Sequence, residues 1–141
     1  MTHVRRLATP PRRRRGPFAR PTANFDAVVH FYGDDLGLPI LAHWLNHDGY
    51  DGVVFGLPDA RVQMELLRHG DRIPEPHPEN QLVLYLGTPE AVRSATRRLV
   101  DRGHRPVPAA NPYWTAHRAV CFEDPDGWVV VLVPEVFGQG S

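Results

Sequence analysis

Asn24-Phe25-Asp26-Ala27-Val28-Val29-His30-Phe31-Tyr32-Gly33-Asp34-Asp35-Leu36-Gly37 reads as one amphipathic helix. Asn24 stands where an N-cap belongs, Phe25, Ala27, Val28, Val29, Phe31 and Tyr32 gather on one face at helical period, and Gly33 with Leu36-Gly37 supplies the stop. A second stretch repeats the design. Thr88-Pro89-Glu90 gives a cap, a proline in the first turn and an acid at the positive end of the helix dipole. Ala91, Val92, Ala95, Leu99 and Val100 form the stripe, and Gly103 ends it. Asp26 and Glu90 are 64 positions apart and the glycine stops Gly37 and Gly103 are 66 apart, so the chain contains an internal repeat.

Working outward, each helix is preceded by one strand candidate and followed by three. In the first half these are residues 16–21, then 38–46, 50–57 and 61–68, with Gly56-Leu57-Pro58-Asp59 as a turn. In the second half they are 81–86, then 104–109, 116–122 and 128–133, with Asp124-Pro125-Asp126-Gly127 as the turn. Both halves therefore read βαβββ, an α+β pattern. The expected organisation is a leader over 1–15, a first module over 16–68, a Pro-rich linker over 69–80, a second module over 81–135 and a tail over 136–141.

Composition narrows the function classes. The chain has 141 residues, 42% hydrophobic, with 16 basic and 16 acidic side chains and one cysteine. All the basic residues are arginine, and seven of them crowd the first 20 positions, where no acid occurs; the remainder is acidic, which argues against broad nucleic-acid contact. The leader is expected to be unpacked, since like charges and prolines build no core. No apolar run reaches the length of a membrane span and no signal-peptide core is visible, so the expectation is a cytoplasmic protein. A single cysteine, Cys121, forms no internal disulfide and no thiolate zinc cage, and within a strand it reads as a small core residue. No nucleophile elbow, phosphate loop, His-Glu-x-x-His or dinucleotide fingerprint occurs.

Phe31-Tyr32 followed by Leu36-Gly37-Leu38, the repeated βαβββ order, and Phe122-Glu123-Asp124-Pro125-Asp126-Gly127-Trp128 together resemble the vicinal oxygen chelate superfamily, over about residues 16–135. That superfamily includes glyoxalase I, extradiol dioxygenases, fosfomycin-modifying enzymes and bleomycin-resistance proteins. His47-Asp48-Gly49-Tyr50-Asp51-Gly52 and Asn111-Pro112-Tyr113-Trp114 are similar to a bacterial glyoxalase-like group within it. The resemblance implies two βαβββ modules whose curved sheets form a cup for a small molecule, in a homodimer. It also implies metal-ligand positions on the first and last strands of each module, which fall here on Pro17, Glu65, Gln81 and Val131. Proline and valine offer no side-chain donor, so the expectation is a cup without a metal or other cofactor.

The candidate site follows from what remains. Glu65, in the alternating Val62-Gln63-Met64-Glu65-Leu66, is the expected carboxylate of the cup, where desolvation would favour its neutral form and suit it to proton transfer. His47 precedes a turn that aims it at the cup mouth as an acid, base or hydrogen-bond partner. His43 and His47 are four apart on a strand-turn segment, which gives no reason for their side chains to converge on a metal, and His30 reads as a helix-surface or core-edge histidine. Trp44, Tyr50, Gln81, Tyr85, Asn111, Tyr113 and Trp114 are the expected ligand-binding residues, an aromatic wall with a few fixed donors. The function expected is metal-independent binding of an organic metabolite or antibiotic. The alternative is a lyase, isomerase or cyclase in which Glu65 moves a proton, helped by His47, Tyr50 or Gln81. The expected partner is a small organic molecule, with no nucleic acid and no membrane.

Overall fold

The structure, a computed structural model, describes residues 16–57, 62–68, 70, 75–78 and 80–137. The leader, half of the linker and most of the tail lie outside the described residues, as do Pro58 and Asp59 of the first turn. Four strands, β1 (Gly16–Pro21), β2 (Ile40–His47), β3 (Tyr50–Gly56) and β4 (Val62–Arg68), form one sheet in the order β1-β4-β3-β2. Three more, β5 (Gln81–Tyr85), β6 (Val120–Glu123) and β7 (Val129–Val133), form a second in the order β5-β7-β6. The repeat is visible in the pairing: β1 runs parallel to β4 as β5 does to β7, and the remaining pairs are antiparallel.

Helix α1 (Phe25–His30) follows β1 and α2 (Pro89–Asp101) follows β5. Thr88 caps α2 as expected, its hydroxyl accepting from the Ala91 amide at 3.1 Å. Asn24 does not cap α1 with its side chain. The Thr22 hydroxyl instead accepts from the Asn24 amide at 3.0 Å. α1 then widens into a π-helical turn over Phe31–Asp35, closed by the Leu36 amide donating to the Phe31 carbonyl at 2.8 Å. Both helices cover the same side of the two sheets. Phe25, Val28, Phe31 and Tyr32 pack with Val92 and Leu99 against Val53, Phe55, Met64, Leu66, Leu84, Phe122, Val130 and Leu132, so one core joins the two halves.

Two segments of the second half depart from expectation. Residues 104–109 do not form a strand but touch the sheet through one bridge, the Val107 amide donating to the Cys121 carbonyl at 2.8 Å. Pro106 and Pro108 flank Val107 and lack amide protons, so the ladder cannot extend in either direction. Residues 112–116 are a short helix, α3 (Pro112–Ala116), rather than loop and strand. The Asn111 side chain caps it by accepting from the Tyr113 amide at 3.0 Å, and Pro112 presets the first helical turn. Strand pairing resumes at Val120.

Candidate functional site

Side-chain alternation gives each sheet a second face, away from α1 and α2. On the first sheet that face carries Glu65 and Leu67 of β4, with Val54 paired to Glu65 and Gly52 to Leu67. Ala19 of β1 lies on the other flank of Glu65. Trp44, paired with Gly52, lies flat over it: a Cβ on Gly52 would stand 2.1 Å from the indole Cζ2. The β2–β3 hairpin turns through Asp48-Gly49, with φ of 52° and 85°, the positive pair that a tight two-residue hairpin turn requires. Around this floor Trp44, His47, Asp48, Tyr50, Glu65 and Leu67 line an open concavity of about 340 Å³. Four of the sequence-derived site residues are thus brought together here. Glu65 is half-buried, whereas the His47 side chain is 79% exposed, at the rim.

The hairpin is held by Asp51, whose carboxylate accepts from the Asn46 amide at 2.8 Å and from Arg68 Nε at 2.9 Å. The Asn46 amide, with Arg68 second, holds the Asp51 carboxyl below the usual carboxylate range.

The remaining candidates gather on the second sheet. Trp114 is nearly buried, packed with Cys121, Val129, Val131 and Val133, and its indole N–H donates to Gln81 Oε1 at 2.8 Å. Gln81 in turn donates to the Pro78 carbonyl at 3.0 Å. Tyr113 contacts the Trp114 ring edge-on at 5.1 Å, and Asn111 serves as the α3 cap. Tyr85 stands beside Phe137, ring centroids 5.2 Å apart. Burial raises the Tyr85 hydroxyl pKa, with further upward pushes from Tyr113 and Glu135. Burial likewise pushes the Cys121 thiol up, as suits a core residue.

Of the four positions implied for a divalent ion, the donor set does not fit. Val131 is fully buried in the apolar cluster, Gln81 has its amide oxygen engaged by Trp114, and the proline has no donor, leaving Glu65 alone. Among the described residues no group of three or more His, Cys, Asp or Glu side chains is arranged to hold a metal.

Sequence reasoning missed two constellations. The Asp124-Pro125-Asp126-Gly127 turn does more than reverse the chain: Asp124 accepts from Arg20, from the Tyr32 hydroxyl at 2.7 Å, and from the amides of Asp126 at 2.8 Å and Trp128 at 3.0 Å. Arg20 also reaches Asp126 at 3.0 Å and lies over the Trp128 ring, 5.1 Å from its centroid. Burial pushes the Asp124 carboxyl up against the pull of Arg20, and drives the Tyr32 hydroxyl well above its ordinary value. The available signal was a lone arginine on the first strand and two acids in one turn. The other constellation is His117, at the end of α3, with Glu135, just beyond β7, 3.0 Å apart. They are 18 positions apart in no motif, and only the fold joins them.

The family models for the YycE-like N-terminal domain and the YycE-like C-terminal domain match residues 17–67 and 79–134. The uncharacterized protein YycE of Bacillus subtilis (strain 168) is 38% identical over 117 residues, covering 82% of this chain and 84% of that protein. A crystal structure of a Bacillus subtilis YycE protein of unknown function superposes with a TM-score of 0.79 at 36% identity, over 89% of this chain and 92% of that one. The fosfomycin resistance protein FosX of Listeria monocytogenes, complexed with Mn(II) and a dihydroxypropylphosphonic acid, gives a TM-score of 0.66 at 16% identity, over 86% and 92%. TnmS3, an antibiotic binding protein from Streptomyces sp. CB03234, gives 0.62 at 23% identity, over 85% and 93%. The last two share the fold alone. Among the described residues no helix is long and apolar enough to cross a membrane. With family models over both halves and a relative aligned along most of its length, the chain belongs to the YycE-like family of the vicinal oxygen chelate superfamily.

Proposed function

We propose that the protein binds an organic small molecule without a metal and acts as a homodimer in the cytoplasm. The observation that carries this reading is the make-up of the first-sheet concavity: an indole, a phenol and a leucine around the Glu65 carboxylate, with His47 and Asp48 exposed at the rim. Such a surface offers stacking and one charge-assisted bond, which is how pockets select a planar or cationic organic group. Its donors, Glu65 with His47 and Asp48 at the rim, are not arranged to hold an ion, which needs three or four converging ligands. TnmS3, of the same fold, is an antibiotic binding protein, which supports the binding reading.

Proton transfer by Glu65, in a lyase, isomerase or cyclase, is the second reading, favoured by Glu65, His47 and Tyr50 lining one concavity. Glu65→Gln separates the two. For a binder, calorimetric titration with the small molecule that co-purifies shows affinity unchanged or weakened by about 1–3 kcal/mol, and product analysis finds no conversion. For an enzyme, the ligand is converted and Glu65→Gln lowers turnover about 100-fold or more with little change in binding. Conversion that survives Glu65→Gln removes Glu65 as the base.

A further inference from the structure

His117 and Glu135 form a pair that neither reading uses. Glu135 presents both carboxylate oxygens to His117 Nδ1, at 3.0 and 3.2 Å. A carboxylate only accepts, so Nδ1 is the donor, and in the neutral form of the ring the lone pair lies on Nε2. Among the described residues Nε2 meets no hydrogen-bond partner, and the imidazole side chain is 20% exposed, open to a visiting molecule. One face of the ring is covered by Tyr113, stacked at 4.0 Å and 27°.

The surroundings are aromatic and half open. Tyr113 is 50% exposed and Phe137 77%, and Phe137 stands edge-on to Tyr85. Tyr113 and Glu135, the two groups that contact the imidazole, both raise the Tyr85 hydroxyl pKa, after its own burial, so Tyr85 lies within their electrostatic reach. All of this lies on the Trp114 face of the second sheet, where Tyr85 and Val133 pack with Trp114, and away from α2. Exposed rings beside a carboxylate-oriented imidazole are more than a surface patch: a ring platform selects a planar molecule, and an imidazole backed by an anion accepts its proton.

We propose that this cluster is an acid–base binding site for a planar aromatic compound bearing an acidic O–H or N–H, with His117 as proton acceptor and Glu135 as its counter-charge. The O–H bond of the ligand breaks as the N–H bond at Nε2 forms. Charge is conserved, with the aromatic oxyanion beside an imidazolium that Glu135 neutralises. The proton returns from Nε2 when the ligand leaves, so no oxidant or co-reactant is required. The proposal shares with the reading above only the class of ligand, an organic small molecule, and does not depend on the first-sheet concavity.

The test compares para-nitrophenol, whose ionisation is read by its visible absorbance, with para-nitroanisole, which has the same ring and no acidic proton. The full chain should bind the phenol about 10-fold or more tightly than the anisole, with the bound phenol ionised below its solution pKa. His117→Gln should erase that preference while leaving anisole binding in place. Glu135→Gln should keep binding but lower the ionised fraction, because the imidazolium loses its counter-charge. Imidazole nitrogen chemical shifts should report the Nδ1–H tautomer in the ligand-free chain and proton gain at Nε2 on adding the phenol. Matching circular dichroism melts certify the variants as folded, and His117→Asn serves if His117→Gln is not. Equal binding of the two compounds, unchanged by His117→Gln, overturns the acid–base site and leaves the aromatic platform standing. Binding of neither overturns the platform as well.

Discussion

Asp124 illustrates how one side chain takes a structural duty that its place in a turn conceals. It is 4% exposed and carries a charge inward, which is tolerable only because four donors converge on it. Arg20 and Tyr32 belong to the first half of the chain and the amides of Asp126 and Trp128 to the second, so the carboxylate ties the repeats together at its own two oxygens. Tyr32→Phe deletes one oxygen and leaves the ring contacts to Phe31, at 5.0 Å, and Phe55, at 6.1 Å. Since the lost bond runs to a buried charge, urea denaturation should show a stability loss of about 1.5–3 kcal/mol. A loss near zero would mean that solvent replaces the hydroxyl and that the tie resides in Arg20 alone.

At the level of elements, the β2–β3 hairpin fixes the floor of the concavity by leaving a side chain out. Trp44 occupies the space above Gly52 that any Cβ would need, and a glycine within a strand is weak unless something covers it. Gly52→Ala should displace the indole, cost about 1–3 kcal/mol in thermal unfolding, and alter tryptophan emission. The emission change should vanish in a Trp44→Phe background; if it persists there, another tryptophan is responding and the stacking is not what Gly52 serves. The hairpin itself was legible, since His47-Asp48-Gly49-Tyr50 carries its turn chemistry openly, and so were both helices; the parallel pairing of β1 with β4 and of β5 with β7 is added by the structure. Other elements were not. A proline on each side of Val107 reduces an apparent strand to one bridge, and Asn111-Pro112 opens a helix of five residues, too short for a periodic stripe to announce. The π-turn at Phe31–Asp35 leaves the apolar pattern of α1 almost unchanged, so periodicity cannot reveal it. In the candidate site, local spacing brought Trp44, His47 and Tyr50 to one hairpin, and alternation along β4 put Glu65 on the open face. The His117–Glu135 pair depends on where α3 lands against the end of β7, which is a tertiary fact.

For the whole molecule, the sheet order leaves β2 as an edge, and that edge is unusually apolar. Ile40 is 50% exposed, Leu41 53% and Leu45 73%, within a strand whose residues are almost all open to solvent. Soluble proteins shield such edges with charge, proline or a covering element, because unpaired strand backbone flanked by leucines templates association. Here the charged devices are absent from β2, which reads Ile-Leu-Ala-His-Trp-Leu-Asn-His, so a covering surface is the remaining way to bury it. A second copy satisfies that need with closed two-fold symmetry, and it places the partner beside the concavity whose rim Trp44 and His47 form. The homodimer proposed above therefore makes a quantitative demand. Sedimentation velocity of the full chain should return twice the monomer mass, and Leu41→Glu with Leu45→Glu should return the monomer mass while circular dichroism stays unchanged. Exposed positions accept such charges within about 0.5 kcal/mol when no partner covers them, so loss of association without loss of fold locates the interface on β2. A dimer that survives both charges uses another surface, and a wild-type chain that sediments as a monomer returns the leucines of β2 to the ligand as the lip of an open cup.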